Sequence, residues 1–179
     1  MITYCSNCGK PTVTVTPFGD DRLRQVCRAC NIIHYENPKV VVGCIPRWEE
    51  KILLCRRSIE PRYGKWTLPA GFLEIGETVV EGARRETLEE ACARVDNLVA
   101  YALYNLSFIG QIYIMFLARL IDTDYKPGHE SLSVALFNEN EIPWNDLAFQ
   151  VVEKTLIKYF KDRKIGKFSF FMEDLSQSS

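Results

Sequence analysis

The segment from Gly71 to Ala93, GFLEIGETVVEGARRETLEEACA, constrains the fold more than any other stretch of the chain. Thr78 followed three residues later by Glu81 forms a capping box, in which hydroxyl and carboxylate satisfy backbone donors that the first helical turn leaves free. The helix this opens runs to about Ala91. Val80, Ala83, Thr87 and Ala91 recur along it at helical spacing, so that side should lie against a sheet. Glu86, Glu89 and Glu90 fall at relative positions 0, 3 and 4 and share another face, turned to a cleft. Like charges at such spacing oppose one another by about a few tenths of a kcal/mol per pair. A solvated acidic face tolerates that cost, and a bound divalent cation reverses it.

The flanking residues decide between these. Gly71, five residues, Glu77, seven residues, then Arg85-Glu86 and, after two more, Glu89-Glu90 resembles the box of the Nudix hydrolases. Two departures stand out: Cys92 occupies a position where the family usually has Gly, and Thr87 and Ala93 fill positions that are often larger and apolar. The resemblance implies the Nudix fold, an α/β/α sandwich around a mixed sheet, over roughly Asn37 to Gly166. It implies that Glu86, Glu89 and Glu90 coordinate Mg²⁺ or Mn²⁺, with the Ala70 carbonyl as a further ligand, and that Arg85 and Glu77 pair to hold the loop and helix in shape. Gly71 is carried over as a substrate-facing position. Hard oxygen ligands suit these ions, which keep sites for water and for phosphate oxygens. Glu86 or Glu90 is the local candidate for the base. Some members of the family take that group from a later loop, and here Glu130 in Pro127-Gly128-His129-Glu130 is the first choice, ahead of Glu139 and Glu141.

Around this segment the pattern is mixed. Val40–Ile45 and Ile52–Cys55 read as buried strands of a hairpin, Leu98–Leu106, Gln111–Leu120 and Leu132–Phe137 as further strands, and Leu147–Phe160 as a second amphipathic helix. Arg56 and Arg57 at the end of the second strand are placed to bind phosphate bidentately. Trp66, Phe72, Phe108 and Tyr113 are candidates to stack on a base or flavin, although aromatics in a small domain more often fill the core. Tyr35-Glu36-Asn37-Pro38-Lys39 marks a boundary, dividing the chain into 1–35, 36–166 and a C-terminal extension 167–179 whose end, from Ser176, reads as frayed.

Before that boundary, Cys5-x2-Cys8 and Cys27-x2-Cys30 have the spacing of two thiolate knuckles around tetrahedral Zn²⁺, so residues 1–35 are expected to form a small zinc ribbon. So short a segment buries too little surface to fold alone with ease, and a structural Zn²⁺ would contribute directly. Cys44, Cys55 and Cys92 lie in apolar surroundings and read as packing residues rather than nucleophiles.

Charge narrows the partners. With 22 Lys and Arg against 23 Asp and Glu there is no broad cationic field, so a nucleic acid is not implied, and the ribbon's Lys10, Arg22, Arg24 and Arg28 against Asp20 and Asp21 add too little to demonstrate one. The run Ile112–Ala118 is far shorter than the roughly 20 residues that cross a bilayer. Met1-Ile2-Thr3-Tyr4-Cys5 has neither a basic nor an apolar signal region, which predicts a cytoplasmic protein. The ribbon and linker resemble the branch of the family containing NADH pyrophosphatases and hydrolases of FAD and ADP-ribose. The linker into Val40–Cys44 and the stretch Trp66–Gly71 look most like the FAD and ADP-ribose group, and no Ser-Gln-Pro-Trp-Pro-Phe-Pro-Ser-like segment follows the box, which counts against the NADH group. A small-molecule nucleotide diphosphate, FAD or ADP-ribose, is therefore the expected substrate, with a homodimer allowed. The alternatives are an NADH pyrophosphatase, an RNA-cap-processing hydrolase and a non-catalytic nucleotide sensor.

Overall fold

Short runs of branched and aromatic residues, separated by Gly, Pro and Asn, give this chain more strand than helix. A computed structural model describes residues 2–176, which divide into two compact units, one ending at Asn37 and one starting at Pro38. In the first, β1 (Val13–Val15), β2 (Arg24–Val26) and β3 (Ile33–His34) form an antiparallel three-stranded sheet in that order. Each cysteine pair forms a tight turn that ends on a left-handed residue, Gly9 (φ 69°) after Cys8 and Asn31 (φ 59°) after Cys30. The amides of Gly9 and Asn31 return to the carbonyls of Cys5 and Cys27 at 2.9 and 2.7 Å.

In the second unit the elements are β4 (Lys39–Trp48), β5 (Lys51–Arg57), β6 (Trp66–Thr67), β7 (Ala70–Phe72), α1 (Val79–Ala91), β8 (Val95–Leu106), β9 (Gln111–Leu120), β10 (Ser131–Phe137), α2 (Gln150–Ile165) and β11 (Phe171–Asp174). The sheet runs β10-β5-β4-β9-β8-β11, with β6 against β5 and β7 against β4. The pairs β4·β9 and β8·β11 are parallel and the others antiparallel, so the sheet is mixed.

Strand alternation builds the layers. Leu53 and Cys55 on β5 and Phe116 and Ala118 on β9 pack with Ala83 and Ala91 of α1, whereas Ile52, Leu54, Met115 and Leu117 pack with Val152, Leu156 and Phe160 of α2. Successive residues thus feed opposite cores, and the result is the expected α/β/α sandwich.

The local expectations mostly meet their elements. Thr78 caps α1 with the reciprocal Glu81 bond, and Ala83, Thr87 and Ala91 are fully buried. The expected second helix starts three residues later and ends five later than read, at Gln150–Ile165. One 3₁₀ turn at Trp144–Asp146 takes up the preceding residues, and Gly166 (φ 67°) ends the helix in the left-handed conformation. Within the extension beyond Gly166, Phe171–Asp174 adds an edge strand to the sheet, and the Leu175 amide donates to Asn105 O at 2.9 Å. Of the tail expected to fray, 177–179 lie outside the described residues. Among the described residues no helix is long and apolar enough to cross a membrane.

Candidate active site

Arg85 organises the acidic helix. Its Nε and NH2 donate to the two carboxylate oxygens of Glu77 at 3.0 and 2.7 Å, NH2 also to Phe72 O at 3.0 Å, and NH1 to Glu86 Oε1 and Glu89 Oε2 at 2.7 and 3.0 Å. Glu77 in turn accepts from the Glu74 amide at 2.7 Å, so one ion pair ties the loop after β7 to α1. The guanidinium, with the Glu74 amide behind it, holds the Glu77 carboxyl down at about 2.

Two glycines allow the helix its close seat. A Cβ on Gly71 would stand 2.3 Å from Glu86 Oε2, and one on Gly82 would meet Glu77 Oε1 at 2.8 Å and Val42 Cγ2 at 2.9 Å. The Glu86 carboxylate therefore lies against the backbone of β7. Glu90, 5% exposed, accepts from the Ala70 amide at 3.3 Å. Burial raises both carboxyls, and for Glu90, with the Glu86 charge added, the value reaches about 8. Two carboxylates out of water and facing each other form a donor set of hard oxygens whose charge calls for a cation, so the residues present fit a divalent metal. The side chains are not drawn into one ligand sphere, because Arg85 holds Glu86 and Glu89 to itself; among the described residues the cysteine quartet alone has its ligating atoms within 4.8 Å of one another.

The loop after β9 brings the fourth acid. Its Lys126 and Gly128 amides donate at 3.0 Å to the carbonyls of Ala91 and Glu90, closing the free end of α1. Ser58, next to Arg57, donates its amide to Glu130 O at 2.9 Å and its hydroxyl to His129 O at 3.1 Å. The loop is thus held from two sides, and Glu130 lines the same cleft of about 1100 Å³ as Glu86, Glu89 and Glu90.

Ala70, Gly71, Arg57, Phe72, Phe108 and Tyr113 also line it, as does Phe149, which sequence reasoning missed. Arg57 Nε donates to Pro61 O at 2.9 Å, and its guanidinium carbon stands 5.2 Å from the centre of the Phe149 ring. Other expected residues are elsewhere. Arg56, its neighbour on the alternating strand, is outside the cleft and donates to Gly64 O at 2.7 Å. Trp66 packs edge-on against Phe137 at 4.9 Å in the core beneath α2. Glu139 pairs with Lys164 at 2.6 Å and Glu141 accepts from the Asn138 amide at 2.9 Å, both in a 3₁₀ turn away from the acidic helix. Cys44 and Cys55 are buried thiols raised by burial, Cys44 to about 11, which suits packing rather than nucleophilic chemistry.

In the ribbon, Cys5 and Cys30 sulfurs stand 3.5 Å apart and those of Cys8 and Cys27 3.4 Å, far beyond a disulfide. A tetrahedral site with metal–sulfur distances of about 2.3 Å spaces its thiolates by roughly 3.8 Å. All four sulfurs lie within 4.8 Å of one another, so the set fits Zn²⁺.

The NUDIX domain family matches residues 37–158 and the Nudix N-terminal zinc-ribbon family residues 3–36. The chain therefore belongs to the Nudix family, in its zinc-ribbon branch. A crystal structure of a NUDIX hydrolase from Nitrosomonas europaea is 51% identical and superposes with a TM-score of 0.95, covering 98% of this chain and 100% of that one. The chain is 31% identical over 137 residues to the NAD-capped RNA hydrolase NudC of Photobacterium profundum, covering 75% of this chain and 49% of the relative. It is 34% identical over 131 residues to the ADP-ribose pyrophosphatase of Methanocaldococcus jannaschii, covering 71% of this chain and 76% of that protein. The chain thus spans about half the length of the NudC relative.

Proposed function

We propose that this protein is a divalent-metal-dependent pyrophosphohydrolase that cleaves the diphosphate of a nucleotide derivative, with ADP-ribose or a NAD-type dinucleotide as substrate. The observation that carries this is the pair of buried carboxylates, Glu86 and Glu90, opening into a large cleft beside Glu89 and Glu130. Glu86, Glu89 and Glu90, with the Ala70 carbonyl, would hold Mg²⁺ or Mn²⁺. When bound, the ion neutralises the diphosphate and makes a water more acidic.

The chain's own groups do the rest. Arg85 holds Glu86 and Glu89 in place, and Gly71 lets the Glu86 carboxylate reach the cleft floor. Arg57, with its terminal nitrogens unengaged among the described residues, meets a phosphate oxygen. Glu130 has no ion-pair partner among the described residues and faces the helix from the opposite loop, so it is the base that takes the proton from the attacking water. Phe72, Phe108 and Tyr113 offer aromatic faces to the flanking groups.

The sequence resemblance favoured FAD or ADP-ribose. The relatives support ADP-ribose and add NAD-type diphosphates, because an NAD cap presents the same diphosphate between two nucleosides; FAD gains no support from them. The test is turnover of ADP-ribose, NADH, NAD-capped RNA, FAD and ATP by zinc-loaded protein with Mg²⁺ or Mn²⁺, with products separated by chromatography. Release of AMP from ADP-ribose or NADH faster than any triphosphate cleavage is expected. Glu130→Gln should lower kcat by about 10² to 10⁴ while keeping metal affinity, and Glu90→Gln should lower both. Rapid ATP hydrolysis with every dinucleotide intact would sink the proposal.

A further inference from the structure

We infer that Arg62 binds a phosphate carried by a nucleoside flanking the scissile diphosphate, making the loop Ser58–Gly64 a selectivity element for phosphate-bearing substrates. The inference rests on the diphosphate reading above and sharpens it.

The cleft is dominated by acids. Glu60, Glu74, Glu86, Glu89, Glu90 and Glu130 line it, against Arg57, Arg62, Arg85 and His129. Arg85 is spent on Glu77, Glu86, Glu89 and the Phe72 carbonyl. Arg57 is fixed by Pro61 O and the Phe149 ring. Arg62 lines the cleft with its guanidinium meeting no carboxylate, carbonyl or ring among the described residues.

An exposed arginine is ordinary, but the backbone of this one is not. Arg62 has φ 70°, the left-handed region, where a side chain is strained and where Gly or Asn is the inexpensive choice. The loop imposes that conformation: the Arg57 amide donates to Lys65 O and the Gly64 amide to Arg57 O, both at 2.9 Å, and the Lys65 amide returns to Arg62 O at 3.1 Å. The chain thus keeps a free guanidinium at the cleft mouth on a backbone that favours a smaller residue.

Position divides the work between the two arginines. Arg57 is half-buried in the cleft against the Phe149 ring, so it serves the inner phosphate that the metal would hold. Arg62 is exposed at the mouth and serves what extends outward. A further phosphate in so acidic a cleft is repelled unless a cation receives it, and a guanidinium matches phosphate bidentately.

The test needs no turnover. Adenosine 2′,5′-bisphosphate, adenosine 3′,5′-bisphosphate and AMP are titrated calorimetrically into zinc-loaded wild type and Arg62→Ala without other divalent ions. The wild type should bind one bisphosphate about tenfold more tightly than AMP, and Arg62→Ala should erase that difference with AMP affinity unchanged. Preference for the 2′ isomer assigns the phosphate to a phosphorylated dinucleotide; preference for the 3′ isomer assigns it to a continuing polynucleotide. Equal wild-type affinity for all three, or a preference that survives Arg62→Ala, overturns the inference. Where the 2′ isomer is preferred, Arg62→Ala should raise KM for NADPH about tenfold and leave NADH unchanged. Failure to hydrolyse any dinucleotide refutes the proposed activity, while the titration still decides the role of Arg62.

Discussion

Gly128 is the position where a single methyl group should cost most for its size. A Cβ built there would stand 1.6 Å from the carbonyl oxygen of Glu89 and 2.8 Å from its carbon. Those atoms belong to the backbone of α1 and cannot rotate aside as a side chain would, so in Gly128→Ala the loop must withdraw. Withdrawal breaks the Gly128 amide bond to Glu90 O and strains that of Lys126 to Ala91 O, both 3.0 Å. Each is worth about 1 kcal/mol net, and leaving the carbonyls of the buried residues Glu90 and Ala91 without donors adds about 1 to 2, for a total loss of roughly 2 to 4 kcal/mol. Urea unfolding of the zinc-loaded protein measures this, with the midpoint falling by about 1 to 2 M at unchanged slope. Gly110→Ala is the matched control: Gly110 has φ 64° and open space around it, so it should lose only the backbone term of about 1 kcal/mol. A Gly128→Ala protein within about 0.5 kcal/mol of wild type would refute the claim that this loop is clamped to the helix end.

Three further outcomes are expected. Cys92 holds φ 47° at the C-terminal cap of α1, where left-handed backbone costs a side-chain-bearing residue about 1 to 2 kcal/mol and glycine recovers this less about 0.5 to 1 of chain entropy. Cys92→Gly should therefore gain about 0.5 to 1 kcal/mol in urea unfolding, and a less stable variant contradicts the strain. Cys5→Ser should drop zinc content below one per chain and expose the remaining ribbon thiols to alkylation; full zinc with unchanged protection would exclude a four-cysteine site. The Glu77 carboxyl sits at about 2 in the folded chain, below an ordinary carboxylate near 4.3, so its stabilisation is present above that ordinary value and fades as pH falls toward 2. The stability gap between wild type and Glu77→Gln should accordingly shrink between pH 6 and pH 2.5, and a gap that widens would reverse the assigned sign.

Phe149 and Arg62 show where sequence reasoning stops. Phe149 directly precedes α2 and read as one more apolar residue of that helix, while Arg62 sits in a turn-rich stretch whose composition says only that it is a loop. Neither carries a local signal, because each acquires its role from a neighbour distant in the chain, Arg57 for one and the acidic helix for the other.

What the sequence determined by itself follows from rules that act over a few residues. The Thr78–Glu81 cap, the acidic face of α1 and the two cysteine turns all depend on spacing within one or two turns of chain, and spacing is written in the order of residues, whereas the Arg85–Glu77 pairing was legible only through the family resemblance. The tertiary structure decided which of two adjacent arginines enters the cleft, that Trp66 packs against the core, that Phe171–Asp174 completes the sheet and that Glu130 lines the cleft with Glu86 and Glu90. Each of these turns on strand register or on a loop pinned by contacts far along the chain, through Ser58 on one side and the end of α1 on the other. Such contacts form only when the whole sheet closes, because a shift of one residue in register would turn every side chain of a strand to the opposite face.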